Sequence, residues 1–338
     1  MYMKKDPGEA WEQLRASRAT PPGRAESGAR RKTYAAALEQ AEQMFRAAAV
    51  VTPATRPLQI FYGLSQAGRA IAAAAVELKG EDWRLEGHGI KASGFDKPFP
   101  DIEIRTEAAT SRGSFVRLSQ LLASPLWGRE PVRLEDAWDL LPVNLDYPLT
   151  TRNRHPALFV DERGIHEEPH PMVHAPVWDI PDWVIDAGSR EGLASFFSNY
   201  PGLAEHHDCV RTGVDNRPDF TRYAQGGGGG LVVSWNMPTG SVPAEERRQY
   251  LRSLARNHGG AWFFVPAIAP MERPPHLLMA WWAVIYTLSM LARYDPAVWA
   301  GLIGVDGNRH AVPIEGLLKR AIDFLPALIA ATLEEVTS

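Results

Sequence analysis

The stretch Pro57–Leu78 reads PLQIFYGLSQAGRAIAAAAVEL, and its reading decides the fold. A proline at a helix-compatible first position, followed by an alanine-rich run, predicts a helix. Gly63, Ala67, Ala70 and Ala74 carry almost no side-chain bulk, so a neighbouring helix can approach closely along that stripe. Glycine inside a helix costs ~1 kcal/mol relative to alanine, which asks for a packing reason at Gly63 and Gly68. Just upstream, Leu38, Ala41, Phe45 and Ala48 recur at helical spacing from about Tyr34 and leave Glu39, Glu42 and Arg46 elsewhere on the wheel. Pro53 and Pro57 end that helix, so residues 33–90 read as an antiparallel helical pair.

Working outward, residues 91–240 change character, with proline, tryptophan and short β-prone runs in place of long helices. Strand candidates are Asp101–Arg105, Ala157–Asp161, Val173–Val177 and Leu231–Trp235, and Ser114–Leu118 reads as strand or helix. Gly226–Gly230 reads as a loop or hinge. Residues 241–338 return to helix. Ala244–His258 is amphipathic, with acidic residues at its start, His258 at its end and Gly259-Gly260 to stop it. Leu277–Ala292 (LLMAWWAVIYTLSMLA) is uncharged but shorter than the ~20 residues of a membrane span, which predicts a buried helix. Pro313–Val336 contains Pro326 and predicts a kinked helix. The expected fold is mainly α: a helical bundle of N- and C-terminal helices, 241–338 packing with 33–90, around a small mixed α/β insertion. Its alanine and glycine stripes predict a homodimer.

Composition narrows the function classes. The 338 residues carry a net charge of -4, far from the pI above ~9 that marks a dedicated duplex-DNA binder. The single cysteine, Cys209, excludes an internal disulfide and a multi-cysteine zinc module, and suits a reducing cytosol. Residues 1–32 lack the apolar run of a signal peptide, so the expected location is cytoplasmic, away from membranes. That segment carries eight basic and four acidic side chains and reads as a flexible basic arm.

The ordered set PLQIFYGLSQAGRAIAAA (57–74), GHGI (87–90), GSFVRL (113–118), LSMLARYDPAVWAGLI (288–303) and PIEGLLKRAIDFLPALI (313–329) resembles the bacterial YaaC-like family over residues 34–335. The resemblance implies a cytoplasmic, mostly helical bacterial protein with a β-containing middle and no established reaction to carry over. YaaC-like genes look at home beside purine-nucleotide synthesis and in phage-defence loci, which implies a nucleotide-linked role in metabolism or antiviral defence.

Four constellations could carry chemistry. Ser65, Gln66 and Arg69 share one edge of the first helix quoted, and the glycine-flanked His88 could be brought to it, making a site for a phosphate or carboxylate with Arg69 as the bidentate contact. Arg252 and His258 look like the spaced Arg–His signature of HEPN ribonucleases, in which histidine moves a proton and arginine stabilises a charged phosphorane without metal. A basic helix end capped by His258 explains the same residues. Asp101 and Glu103 loosely resemble the acidic pair of a nucleotidyltransferase-like site, although Pro100 interrupts the strand entry, and an ordinary edge strand suits them better. His166, His170 and His174 recur every four residues and His206-His207-Asp208-Cys209 adds ligand types, but Pro169 and Pro171 rule out a helix there, so no metal site is expected. These readings give a nucleotide-linked regulatory or phage-defence component that senses a ligand at Arg69 and His88, with a ribonuclease or a structural subunit of a complex as alternatives. Expected partners are a nucleotide or RNA ligand, a protein from a neighbouring gene and a second copy of the chain; no cofactor is specified.

Overall fold

The computed structural model describes residues 6–128, 130–151, 153–204, 211–213 and 215–338. The chain is 49% helix and 13% strand, with 12 helices and two antiparallel sheets among the described residues. It is therefore a helix-rich mixed α/β protein, with more sheet than a small insertion supplies. The first elements are α1 (Pro7–Ala19), α2 (Gly28–Val50), α3 (Arg56–Ala74), β1 (Ile90–Ser93), β2 (Glu103–Thr106), α4 (Ser114–Leu121), β3 (Val132–Arg133) and α5 (Leu134–Asp139). Next come β4 (Leu158–Val160), β5 (Met172–Ile180), α6 (Asp182–Ala187), α7 (Arg190–Phe197), α8 (Pro201–Ala204), β6 (Thr221–Arg222) and β7 (Gly229–Asn236). The chain ends with α9 (Ala244–Leu254), β8 (Arg256–His258), β9 (Ala261–Phe264), α10 (Leu277–Tyr294), α11 (Pro296–Leu302) and α12 (Ala311–Thr337). Two compact units form. Among the described residues, one takes residues 6–138, 146–149 and everything from Pro275; the other takes residues 139–145 and those between 150 and 274. Residues 91–138 thus belong with the terminal helices, and residues 241–274 with the larger sheet.

In the helical unit, α3 packs against α2, α10 and α12 and buries 12 of its 19 residues. The small residues do what the sequence implied: a Cβ on Gly68 would stand 2.7 Å from Leu118 and 2.8 Å from Trp282. Every residue of α10 from Leu278 to Ala292 is buried. It is one helix long and apolar enough to cross a membrane, yet 78% of that window is covered by the fold. Its small sheet runs β1-β2-β3, all antiparallel, so β2 is the central strand and not the edge expected for Asp101 and Glu103.

The flexible basic arm is corrected from residue 7 onward. Asp6 caps α1, accepting from the Gly8 amide at 2.9 Å, and Ala10, Trp11 and Leu14 are buried. The basic residues have work inside the fold. Arg18 pairs with Glu39 at 2.7 Å, Arg24 donates to the Val76 carbonyl at 2.6 Å, and Arg30 donates to the carbonyls of Ala73, Ala75 and Leu78. Cations at a helix C-terminus satisfy its orphan carbonyls and its dipole, so the surplus positive charge finishes α3. Glu42 is buried on α2, between Arg15 at 3.3 Å and Arg46 at 2.7 Å.

The other unit is built on a six-stranded antiparallel sheet ordered β6-β7-β5-β4-β9-β8. Alternate residues on the long strands, Val173, Ala175 and Val177 against Leu231, Val233 and Trp235, face a core with α6, α7 and α9. Two sequence readings change here. Gly229 and Gly230 lie inside β7 and pair with Arg222 and Thr221, because the backbones approach too closely for a side chain. The helix expected to reach His258 stops at Leu254, and Arg256–His258 form a strand. Gly259 and Gly260, with φ of 59° and 84°, make a two-residue hairpin turn between β8 and β9, the conformation that Gly-Gly supplies without steric cost.

Replacing Gly68 with valine is expected to destabilise the protein by about 1–3 kcal/mol, the usual cost of overpacking a filled core. Urea unfolding of the variant measures it, and an unchanged midpoint would show that α3 and α10 do not meet at Gly68.

Candidate functional site

Among the four constellations, the α3 edge keeps its polar groups available. Ser65 and Gln66 are half-buried and Arg69 is exposed, and none of their side chains makes a hydrogen bond or ion pair among the described residues. His88 is delivered to the start of that edge by a turn locked onto the N-terminus of α4. The Gly87 carbonyl accepts from Ser114 Oγ at 2.9 Å, the His88 carbonyl from the Phe115 amide at 2.9 Å, and the Gly89 carbonyl from the Glu107 amide at 3.0 Å. Gly89 has φ of 73°, and a Cβ on Gly113 would fall 2.3 Å from Gly89 Cα, so GHGI and GSFVRL are spaced by a glycine-to-glycine contact.

The His88 ring packs on Phe61 at 5.4 Å and on Tyr286 at 5.8 Å between centroids. It does not touch Arg69. Four helical residues advance ~6 Å, so Ser65 and Arg69 lie about one and two turns beyond Phe61. The cation that joins His88 is Arg293, at the end of α10, whose Nη1 donates to the Tyr62 hydroxyl at 3.1 Å and whose guanidinium lies 5.0 Å from the Tyr294 ring centre. Partial burial, then the positive charge of Arg293, lowers the His88 pKa against a smaller opposing pull from Glu107. The imidazole is therefore neutral at pH 7, able to donate and accept. No carboxylate pairs with Arg293 or Arg69 among the described residues. The patch around His88 thus combines the guanidinium of Arg293, a neutral imidazole and the exposed rings of Tyr62 and Tyr294, with Arg69 farther along α3. Just past Arg293, Asp295 begins one wall of an open groove of about 520 Å³ that α11 forms with Phe95–Phe99.

Sequence reading missed Arg293 and Tyr62. The signal lay within the quoted motifs: YGLSQAGRA holds Tyr62, and LSMLARYDP holds Arg293 and Tyr294. Only the tertiary structure brings those two stretches together.

The other constellations are engaged elsewhere. Arg252 sits on α9 in a bidentate pair with Glu162, at 2.7 and 2.8 Å, and lies 5.8 Å from the Trp262 ring, beside a half-enclosed cavity of about 270 Å³. His258 is on β8, 6% exposed, facing Phe263. It is not a helix cap, and burial lowers its pKa to about 4. The structure does not bring it into a polar site with Arg252. Glu103 is held by Lys97 at 2.8 Å and Arg105 at 3.0 Å, and Asp101 lies 3.4 Å from Arg133, so this acidic pair is neutralised in place. His170 Nδ1 accepts from the Met172 amide at 3.0 Å and His174 Nδ1 meets Ser234 Oγ at 2.6 Å. Among the described residues no group of three or more His, Cys, Asp or Glu side chains could hold a metal ion, and His206, His207, Asp208 and Cys209 lie outside them.

A family model described as YaaC-like Protein matches residues 9–333. No curated protein and no solved structure matches the chain.

Burial of His258 has a pH consequence with a definite sign. Its folded pKa of about 4 lies below the ordinary 6.5, so the unfolded chain binds the proton more readily. The stability held above pH 6.5 is lost as pH falls from there to about 4, and no further below. An imidazole NMR titration is expected to place the midpoint near 4, and His258→Phe is expected to flatten the acid limb of stability against pH. A midpoint near 6.5 would mean an accessible His258.

Proposed function

The chain belongs to the YaaC-like family, and from that premise we propose that it is a nucleotide-linked regulatory or phage-defence component of bacteria that binds its ligand at the α3 edge. The observation that carries this reading is the meeting of three distant sequence motifs at His88, Tyr62 and Arg293, where no carboxylate pairs with Arg293 among the described residues. Arginine recognises a phosphate by paired hydrogen bonds, and exposed aromatic rings offer a face to a planar base. Arg69, two turns along α3, extends the cationic edge for a ligand with more than one anionic group. Neutral His88 can donate and accept hydrogen bonds to such a ligand. A cytoplasmic location belongs to this reading, and the burial of α10 supports it.

The ribonuclease alternative asks Arg252 and His258 for proton transfer near pH 7. It draws less support, because a buried imidazole with a pKa of about 4 is a poor general acid and Arg252 is already paired with Glu162. A structural subunit acting only within a complex would leave the α3 edge without a ligand.

Thermal unfolding with purine mono- and triphosphates tests the proposal. A nucleotide at 100 times its Kd is expected to stabilise the wild type by ~2.7 kcal/mol. Arg293→Ala and His88→Ala should each weaken that response while unfolding normally without ligand. Failure of every nucleotide to stabilise the wild type would sink the reading, as would an unchanged response in Arg293→Ala. RNA cleavage lost on His258→Ala would promote the ribonuclease instead.

A further inference from the structure

Arg320 lies on α12 in the stretch PIEGLLKRAI (313–322). Helical side chains lean toward the N-terminus, and Arg320 folds back over Gly316: a Cβ there would stand 3.0 Å from its Nη2 and 3.3 Å from Nη1. The Tyr147 ring stacks on the guanidinium, 5.0 Å from Cζ to the ring centre. Its Nε and Nη2 are both buried and have no hydrogen-bond partner among the described residues. No carboxylate lies within ion-pair distance of it there, and burial lowers its pKa despite a smaller opposing influence from Tyr147 and Asp146.

Nε and Nη2 are the pair that grips two oxygens of one anion side by side. Three other arginines of this chain use that same edge on a carboxylate. Arg154 holds Asp139 at 3.0 and 2.9 Å, Arg163 holds Asp161 at 2.8 and 2.8 Å, and Arg252 holds Glu162 at 2.7 and 2.8 Å. Arg320 carries the same two donors, Nε and Nη2, shielded from solvent on a half-buried side chain and without a hydrogen-bond partner among the described residues. A buried donor left unmade bears its full desolvation cost, so such a group in a native fold calls for an occupant. Water could satisfy the N–H groups but would leave the charge uncompensated, whereas an oxyanion meets both demands.

We propose that the Nε–Nη2 edge of Arg320 is an anion-binding fork that takes one carboxylate or phosphate group of a small ligand. Gly316 lets the guanidinium lie close against α12, since a Cβ there would press on Nη2 at 3.0 Å and shift it by a few tenths of an ångström. Tyr147 is 37% exposed, so the ring stacked on the fork is a surface side chain that an arriving ligand can move. The proposal stands apart from the His88 patch and from the nucleotide reading.

The test is thermal unfolding and calorimetric titration of the full chain with inorganic phosphate and with acetate, at constant ionic strength against chloride. The wild type is expected to be stabilised by at least one of the two. A response to phosphate alone assigns a phosphoryl group, and a response to acetate alone a carboxylate. Arg320→Gln should abolish the response, and Gly316→Ala, which keeps the charge but crowds it, should weaken affinity about tenfold or more, equivalent to ~1.4 kcal/mol. Arg293→Ala should leave the response intact, which separates this fork from the His88 patch. If Arg320→Gln does not fold, Gly316→Ala decides. The proposal is overturned if Arg320→Gln responds as the wild type does, if Gly316→Ala is indistinguishable from wild type, or if neither anion stabilises the wild type, the last meaning that water alone fills the fork.

Discussion

Close approach of helices along α3 is the constraint on which the helical unit depends. Ala70 to Ala75 are fully buried without one large side chain except Ile71, so α2 and α10 are held at a distance that bulkier residues would forbid. Trp282 and Leu118 fill the space over Gly68. The large apolar residues come instead from α10, whose length is buried for the same reason: small residues on one helix admit large ones from the next. The candidate site is a by-product of that geometry. Where α3 and α10 meet, Tyr62 and Arg293 emerge beside each other, and the glycine contact between Gly89 and Gly113 sets His88 against both helices.

Arginine chemistry organises much of the remainder. Arg30 and Arg24 satisfy carbonyls at and beyond the end of α3, so basic residues that read as a flexible arm are structural. On α9, Arg247 is 2% exposed and donates to the carbonyls of His166 and Glu168, while Arg248 and Arg252 pair with Glu167 and Glu162. One helix face thereby clasps the whole segment leading into β5. A buried guanidinium is tolerable only when its donors are met. That rule makes Arg320 informative, because its Nε and Nη2 are buried with no hydrogen-bond partner among the described residues, whereas Arg69 and Arg293 are exposed and keep their water.

Legibility in the sequence followed the range of the forces involved. The helices α2, α3, α10 and α12 were readable because their periodicity is local, and the strands β4, β5 and β7 because their apolar runs are. The ends of elements were harder. Gly259-Gly260 can stop a helix or turn a hairpin, and the choice depends on β9 being available to pair with Arg256–His258. The N-terminal helix α1 was hidden for the same reason: its few apolar residues, Trp11 and Leu14, acquire value only when a partner surface is present. At the site, Ser65, Gln66, Arg69 and His88 could be named from residue type and spacing, whereas Arg293 could not, since 231 residues separate it from Tyr62.

By itself the sequence determined the helix-rich class, the buried nature of Leu277–Tyr294, the family and the polar edge of α3, because composition and short periodicities specify local conformation and burial without knowledge of partners. Tertiary structure alone decided which charges are consumed and which are left over. It gave Glu162 to Arg252, removed His258 from water, stood Arg293 beside His88 and buried Nε and Nη2 of Arg320 without a partner among the described residues. The physical reason is that a charge has no chemistry until its neighbours and its solvent are known, and both are properties of the folded chain.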